Sequence, residues 1–164
     1  MTGRFSGSGS GVAVLCAALT LVGCGTPRGP ALNTDVERIS FRPDAAPFCG
    51  RCDSTSFVVA ADGELRVDVG HWAGRYRNWV RKRSIRRISP EQFADFKRRL
   101  EPYKPAHDLR RPDEACGSSI SDADGLTVEW THGDERRVRV FDFGCLDDRV
   151  MNDILRGAPA ALGL

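Results

Sequence analysis

An Asp-Gly pair between two β-prone runs is the feature that most constrains the fold of this chain. Residues 57–60 read Phe-Val-Val-Ala and residues 65–69 read Leu-Arg-Val-Asp-Val, with Asp62-Gly63 between them. Asp-Gly favours the left-handed backbone of a tight two-residue turn, and it is the strongest short-range hairpin signal when apolar runs flank it. The sequence therefore predicts an antiparallel β-hairpin here.

Further strands are predicted from the alternation of apolar and polar residues. Residues 126–130 and 138–140 alternate in this way on either side of a turn at residues 132–134. This pattern is typical of strands with one buried face, so it predicts a second hairpin. Apolar residues between 36 and 41 predict an additional strand near the start of the domain.

Two helices are predicted from capping residues and helical spacing. Ser89-Pro90-Glu91-Gln92 places a capping serine, a proline and a glutamine at the start of a helix that runs to about Glu101. Asp147 or Asp148 can cap a final helix that ends at Gly157. The predicted core positions are Phe93, Phe96 and Leu100 in the first helix and Val150, Met151, Ile154 and Leu155 in the second.

The elements add up to an α+β domain, an antiparallel sheet of two hairpins plus an N-terminal strand, with two helices on one face. The chain has 164 residues, and its length fits one domain, which we place at residues 35–164. A formal net charge of +2 excludes a globally basic nucleic-acid binder, and we expect no nucleic-acid partner. A hydrophobic share of 41% excludes a disordered chain and a multispan membrane protein.

The N-terminal segment indicates export. Arg4 precedes an apolar run at residues 11–22 that is too short for a permanent span and suits a signal peptide. The run ends in Leu21-Val22-Gly23-Cys24, which resembles the lipobox of bacterial lipoproteins. The resemblance implies a signal peptide at residues 1–23, removed so that Cys24 becomes the first, lipidated residue.

An anchor of this kind implies a location at the cell envelope. A diacylglycerol and an N-acyl chain such as palmitate exceed the two signals that stable membrane anchoring requires. Residues 24–34 then form a lipidated cysteine and a flexible tether, and the domain faces the periplasm. Gly25 stands where an Asp favours the inner membrane, so the outer membrane is favoured over the inner one.

The sequence also resembles an uncharacterised family of domains in secreted bacterial proteins. The resemblance rests on Cys49-Gly50-Arg51-Cys52, the following apolar strand, the Asp62-Gly63 turn and the helix start at Ser89, and it covers roughly residues 36–101. Members usually carry proline and an aromatic shortly after the second cysteine, where this chain has Asp53 and Thr55. The resemblance implies the fold and no activity.

Four cysteines remain after lipidation, and an oxidising compartment favours two disulfides among them. Three connectivities are possible. The resembling domains carry the Cys-Gly-x-Cys pair alone, which implies the pairing Cys49–Cys52 and leaves Cys116–Cys145. A Cys116–Cys145 bridge would also fasten the long loop between residues 104 and 125.

Catalytic interpretations of the sequence have less support. A thiol-disulfide oxidoreductase that uses Cys49 and Cys52 stays an alternative, although such enzymes place the motif at a helix N-terminus and here it precedes a strand. A zinc site would need a second close cysteine pair. The neighbours His107 and Asp108 and the run at residues 122–125 are better explained as loop residues than as a general base and a calcium site. We expect no cofactor and no metal.

A basic, aromatic segment is the strongest candidate for binding. Residues 71–99 contain ten Lys or Arg residues against two acidic ones. The segment is interpreted either as a solvated face whose aromatics enter the core, or as a contact surface for anionic lipid or cell-wall polymer. The candidate binding residues are Trp72, Arg75, Tyr76, Arg77, Trp79, Arg81, Lys82 and Arg83.

The function expected from the sequence is a non-enzymatic binding or structural role at the cell envelope. The membrane is reached through the lipid anchor, and the protein partner is unknown. An enzyme whose site is not recognisable in one sequence remains the alternative class.

Overall fold

The structure is a computed structural model that describes residues 35–44, 53–73, 78–110 and 116–164. Six antiparallel strands form one open sheet in the order β4-β3-β2-β1-β5-β6. The strands are β1 Arg38–Asp44, β2 Ser54–Ala60, β3 Glu64–Ala73, β4 Asn78–Arg87, β5 Gly125–His132 and β6 Glu135–Asp142.

Two helices cover one face of this sheet. Helix α1 spans Pro90–Leu100 and is followed by a 3₁₀ turn at Glu101–Tyr103, and helix α2 spans Arg149–Gly157 and is followed by a 3₁₀ turn at Ala158–Leu162. The predicted α+β class with an antiparallel sheet is confirmed. No helix in the described ranges is long and apolar enough to cross a membrane.

Three phenylalanines join α1 to the centre of the sheet. Phe41 of β1 lies opposite Phe57 of β2, and their rings stack with centroids 5.0 Å apart. Phe96 of α1 packs against both, at 6.1 Å from Phe41 and 5.6 Å from Phe57. Aromatic side chains bury large apolar areas, so this cluster fixes α1 on the sheet. The opposite face of the sheet carries no helix among the described residues.

The first hairpin and the start of α1 form as the local sequence predicts. Gly63 has a φ of +87°, the left-handed conformation for which glycine is suited. Ser89 caps α1 because its Oγ accepts the Gln92 N–H at 3.2 Å, while the Gln92 side chain accepts the Ser89 N–H at 3.0 Å. This reciprocal capping box fixes where the helix begins.

Strand β4 is the main addition to the predicted sheet. Two hairpins and one earlier strand make five strands, whereas the structure has six because residues 78–87 pair with β3 along their whole length. Nine of these ten residues are exposed and the tenth is half-buried. An edge strand without a buried face lacks the alternation by which strands are recognised in a sequence.

The buried face of α2 differs from the predicted one. Val150 is 75% exposed and Ile154 is 38% exposed, so the prediction that they enter the core is wrong. Leu155 is buried, as predicted, and Asn152 is buried beside it. Asn152 faces inward because its Nδ2 donates to the Cys145 carbonyl oxygen at 3.2 Å, a polar contact that apolar periodicity cannot reveal.

Asp148 occupies the N-cap position of α2, but its side chain makes no capping hydrogen bond. Asp147 does not cap the helix either, since its Oδ2 accepts the Gly117 N–H at 2.8 Å.

Residues Asn33–Leu164 form one compact unit, which contains every residue of the core.

Candidate functional site

Six of the residues singled out from the sequence lie outside the described ranges, so their predicted roles stay predictions. The structure places the other candidate binding residues on the β3–β4 hairpin, with Trp72 on β3 and the remainder on β4. The residues outside the described ranges are Cys24, Cys49, Cys52, Arg75, Tyr76 and Arg77.

The pairing of β3 with β4 divides the side chains of the hairpin between two faces. Residues opposite each other in an antiparallel pair point to the same face. Leu65 and Val67 are buried in the core on the helix side of the sheet. The alternate residues of β3, together with the residues of β4 opposite them, therefore lie on the face away from the helices. We call this surface the hairpin face; it comprises Arg66, Asp68, Gly70 and Trp72 of β3 and Trp79, Arg81, Arg83 and Ile85 of β4.

Two exposed tryptophans occupy one end of the hairpin face. Trp72 is 43% exposed and Trp79 is 40% exposed, so the interpretation that these aromatics enter the core is wrong. Their rings meet edge to face with centroids 5.3 Å apart. The Trp79 indole lies on Gly70, where an added Cβ would be 2.8 Å from Cε2 and would overlap Cζ2. Because Gly70 has no side chain, it leaves the space that the Trp79 indole occupies, and we call this space the seat of the indole.

An arginine pair on one carboxylate lies next to the tryptophans. Arg81 donates from Nη2 to Oδ2 of Asp68 at 2.7 Å and from Nε to Oδ1 at 3.1 Å. Arg83 donates from Nε to Oδ2 of the same residue at 3.1 Å. The two hydrogen bonds from Arg81 and, to a smaller extent, the one from Arg83 hold the pKa of Asp68 below its ordinary value of 3.8. Asp68 thus stays ionised and orders two guanidinium groups.

Charge on β4 exceeds what this carboxylate compensates. The strand contains Arg81, Lys82, Arg83, Arg86 and Arg87 and no acidic residue. Lys82 lies opposite Val69 and Arg86 opposite Leu65, so both are on the helix side of the sheet. Neither forms a salt bridge with the described part of the chain. The hairpin therefore presents cations on both of its faces.

A shallow groove continues the hairpin face toward the middle of the sheet. The groove has a volume of about 460 Å³, and Val58 and Ile85 form part of its apolar lining. Its cationic side chains include Arg42 and Arg66, which the sequence analysis did not single out. The polar alternation in β1 and β3 could have identified them, because polar residues between buried ones must lie on the opposite face.

The predicted disulfide between Cys116 and Cys145 is present, with Cα atoms 5.8 Å apart. The carboxylate of Asp147 lies close to both sulfurs. The cysteines are joined to each other and so offer no thiolates, which makes this group unsuitable as a metal site.

Two aspartates among the remaining sequence candidates, Asp108 and Asp124, have structural partners. Asp108 accepts the Val138 N–H at 3.0 Å and a hydrogen bond from Arg110, while His107 is exposed. Asp124 accepts a hydrogen bond from Arg156 at 2.7 Å. These contacts agree with the interpretation of both runs as structural loop residues.

No protein-family model matches the chain, and no curated protein is significantly similar to it.

Proposed function

We propose that the protein is a lipid-anchored, periplasm-facing lipoprotein that binds an anionic component of the cell envelope through its β3–β4 hairpin. The observation that carries the proposal is the hairpin face itself, where an exposed tryptophan pair adjoins a row of arginines. Trp and Arg are enriched at binding surfaces, and Trp is enriched at the interface of a bilayer with water. The ligand is anionic lipid or the acidic groups of cell-wall polymer.

Electrostatics support an anionic ligand over a neutral one. Asp68 is shared by Arg81 and Arg83, so two guanidinium charges face one carboxylate. Side chains of both arginines are more than half exposed, at 56% and 76%. A clustered positive surface raises the local concentration of anions and speeds their association.

The tryptophan pair adds a contact that does not depend on charge. Its indoles are partly exposed, and their positions are fixed by each other and by Gly70. A preorganised aromatic pair loses little conformational entropy on binding. Such a pair can lie in the headgroup region of a bilayer or against the apolar face of a sugar. Charge therefore attracts the ligand, and the indoles retain it.

The anchor places the hairpin near its ligand. If Cys24 is lipidated, the ten residues from 25 to 34 reach at most roughly 35 Å when extended. The domain then stays close to the membrane surface, and a weak surface contact becomes effective because the local concentration is high. The outer membrane is the proposed location.

Lipidation is tested by mass spectrometry of the mature protein. We expect an N-terminus at Cys24 that carries a diacylglycerol and an acyl chain, and we expect Cys24→Ala to leave the protein unprocessed or soluble. An unmodified Cys24 within a mature chain that begins elsewhere would remove the anchor from the proposal.

Binding is tested with the chain from Asn33 onwards, which contains the complete core and lacks the lipidation site. We expect it to bind anionic vesicles or cell-wall fragments and to release them as salt rises, because exposed charges are screened over roughly 8 Å at 0.15 M. The combined variant R81Q/K82Q/R83Q should bind about 100-fold more weakly at low salt, since each cation near an anionic surface contributes about 1 kcal/mol.

The matched control removes the same charge from the helices. R98Q/R99Q/R149Q alters exposed arginines of α1 and α2 and should bind nearly as well as the unaltered chain. Equal loss in both triple variants would show that binding depends on net charge alone. No loss in the β4 variant would make its cations an ordinary solvated surface.

A further inference from the structure

The two edges of the sheet differ in how they are protected. At the β6 edge, the Leu109 N–H donates to the Val138 carbonyl at 2.8 Å, and the Val140 N–H donates to the Leu109 carbonyl at 2.9 Å. These bonds occupy the middle of that edge. At the other end of the sheet, no strand of the described ranges pairs with the outer edge of β4. The fold thus caps one edge and leaves the other open.

The open edge is long and regular. Each residue of β4 pairs with one of β3, from Asn78 opposite Ala73 to Arg87 opposite Glu64, without a bulge. Ten residues span roughly 33 Å, and alternate residues direct their N–H and C=O groups away from β3. Natural edge strands are usually short, bulged or interrupted by proline, and β4 has none of these protections.

Among the described residues, charge alone protects the β4 edge. Its five basic residues occupy both faces, with Arg81, Arg83 and Arg87 on one and Lys82 and Arg86 on the other. A strand added alongside would therefore meet cations above and below its own plane. Cross-strand pairs of opposite charge stabilise a sheet, and like charges destabilise it.

This charge distribution identifies the kind of strand that fits. A second copy of the chain paired edge to edge would place five cations against five cations. The chain's own segments outside the described ranges contain only two acidic residues, Asp113 and Glu114. We propose that β4 accepts an extended acidic segment of a partner protein as a seventh strand. Main-chain hydrogen bonds supply affinity, and Lys82, Arg86 and the hairpin-face arginines select acidic side chains.

This inference goes beyond the proposed function, because its ligand is a polypeptide and its contacts include the backbone. The probe is the ten-residue synthetic peptide Glu-Glu-Val-Thr-Glu-Glu-Val-Thr-Glu-Glu, in which adjacent Glu pairs place carboxylates on both faces of the strand. Two matched peptides separate charge from pairing. One replaces every Glu with Gln, and the other keeps every Glu but carries N-methyl groups on amides of both edges, so that neither edge can donate a full set of hydrogen bonds.

We expect the acidic peptide to bind the chain from Asn33 onwards and to slow hydrogen exchange at alternate amides of β4. The Gln peptide should bind at least tenfold more weakly because it lacks charge. The N-methylated peptide should also bind at least tenfold more weakly than the acidic peptide, because neither of its edges can donate a full set of main-chain hydrogen bonds to β4.

Protein variants test the same contact from the other side. K82Q/R86Q alters the two cations on the helix side of β4 and should weaken binding of the acidic peptide at least fivefold. R98Q/R99Q on α1 makes the same change in charge away from the edge and should leave binding unchanged. Circular dichroism spectra should show that both variants are folded.

Several results would overturn the proposal. They are failure of the acidic peptide to bind, binding of the N-methylated peptide as tight as that of the acidic peptide, and protection of β6 instead of β4. A dimer of the chain joined through β4 would also overturn it. None of these outcomes depends on vesicle or cell-wall binding, so failure here is distinguishable from failure of the proposed function.

Discussion

Gly70 controls the position of an aromatic side chain that belongs to a different strand. The Trp79 indole occupies the space where a Cβ at residue 70 would lie, and the Ser54 hydroxyl oxygen borders the same space at 3.0 Å. Gly70 is an ordinary strand residue in other respects, with no positive φ. Glycine at this position lets the Trp79 indole approach the backbone closely, which is a recognised reason for glycine in a strand interior.

Gly70→Ala should therefore displace the indole and separate it from Trp72. We expect loss of the coupled tryptophan signal in the far-ultraviolet circular dichroism spectrum, together with weaker binding of anionic vesicles. Gly157→Ala is the control, because a Cβ at that residue meets nothing within 4 Å. An unchanged tryptophan signal in Gly70→Ala would contradict the inference that Gly70 leaves the space for the Trp79 indole.

Asp68 makes the arginine pair sensitive to acid. Hydrogen bonds from Arg81 lower the pKa of the Asp68 carboxyl group below 3.8 in the folded protein. A carboxylate with a depressed folded pKa stabilises the fold above its unfolded pKa, and this contribution is lost as pH falls through the lowered value. At neutral pH the contribution is complete.

A carboxyl NMR titration tests this assignment. Arg81→Gln should raise the pKa of Asp68 toward 3.8, and Arg83→Gln should raise it less because Arg83 supplies one hydrogen bond and Arg81 supplies two. An Asp68 pKa at its ordinary value in the unaltered chain would contradict the assignment.

At the scale of elements, predictability follows how local the determinants are. The first hairpin depends on Asp62-Gly63 and the start of α1 on Ser89 and Gln92, all of which act within a few residues. Strand β4 depends on pairing with β3, and its own residues bury nothing. Part of the candidate site was predictable from the charge and aromatics of residues 71–99. The seat at Gly70 and the groove required the register of β2, β3 and β4.

Helix α2 shows how a polar interior contact shifts a predicted face. Leu155 is fully buried, whereas Val150, another apolar residue of the same helix, is exposed. Leu155→Ala should lower the free energy of unfolding by about 2–5 kcal/mol because it leaves a cavity. Val150→Ala should change it by about 0.5 kcal/mol or less. Denaturant unfolding measures the free energy of unfolding of both variants. Equal losses of stability would favour the face predicted from helical periodicity, on which Val150 is buried.

At the scale of the whole molecule, the two ends of the sheet differ in how they are built. The β6 end is fastened by the disulfide and by hydrogen bonds around it, including Ile120 N–H to the Gly144 carbonyl and Leu146 N–H to the Ser118 carbonyl, both at 2.9 Å. The β4 end carries the exposed Trp72 and Trp79 and the five basic residues of β4. Stability and binding should therefore be separable by mutation.

The variant C116S/C145S tests that separation. The disulfide closes a loop across a sequence separation of 29, and its loss should lower the free energy of unfolding by about 3.5 kcal/mol in the loop-entropy treatment. Vesicle binding by the hairpin should persist below the unfolding transition, because four strands lie between β4 and β6 in the sheet. Urea unfolding and vesicle sedimentation on the same samples provide both measurements. If binding fell in proportion to stability while the protein remained folded, the two ends would be coupled, and the hairpin could not be treated as an independent binding element.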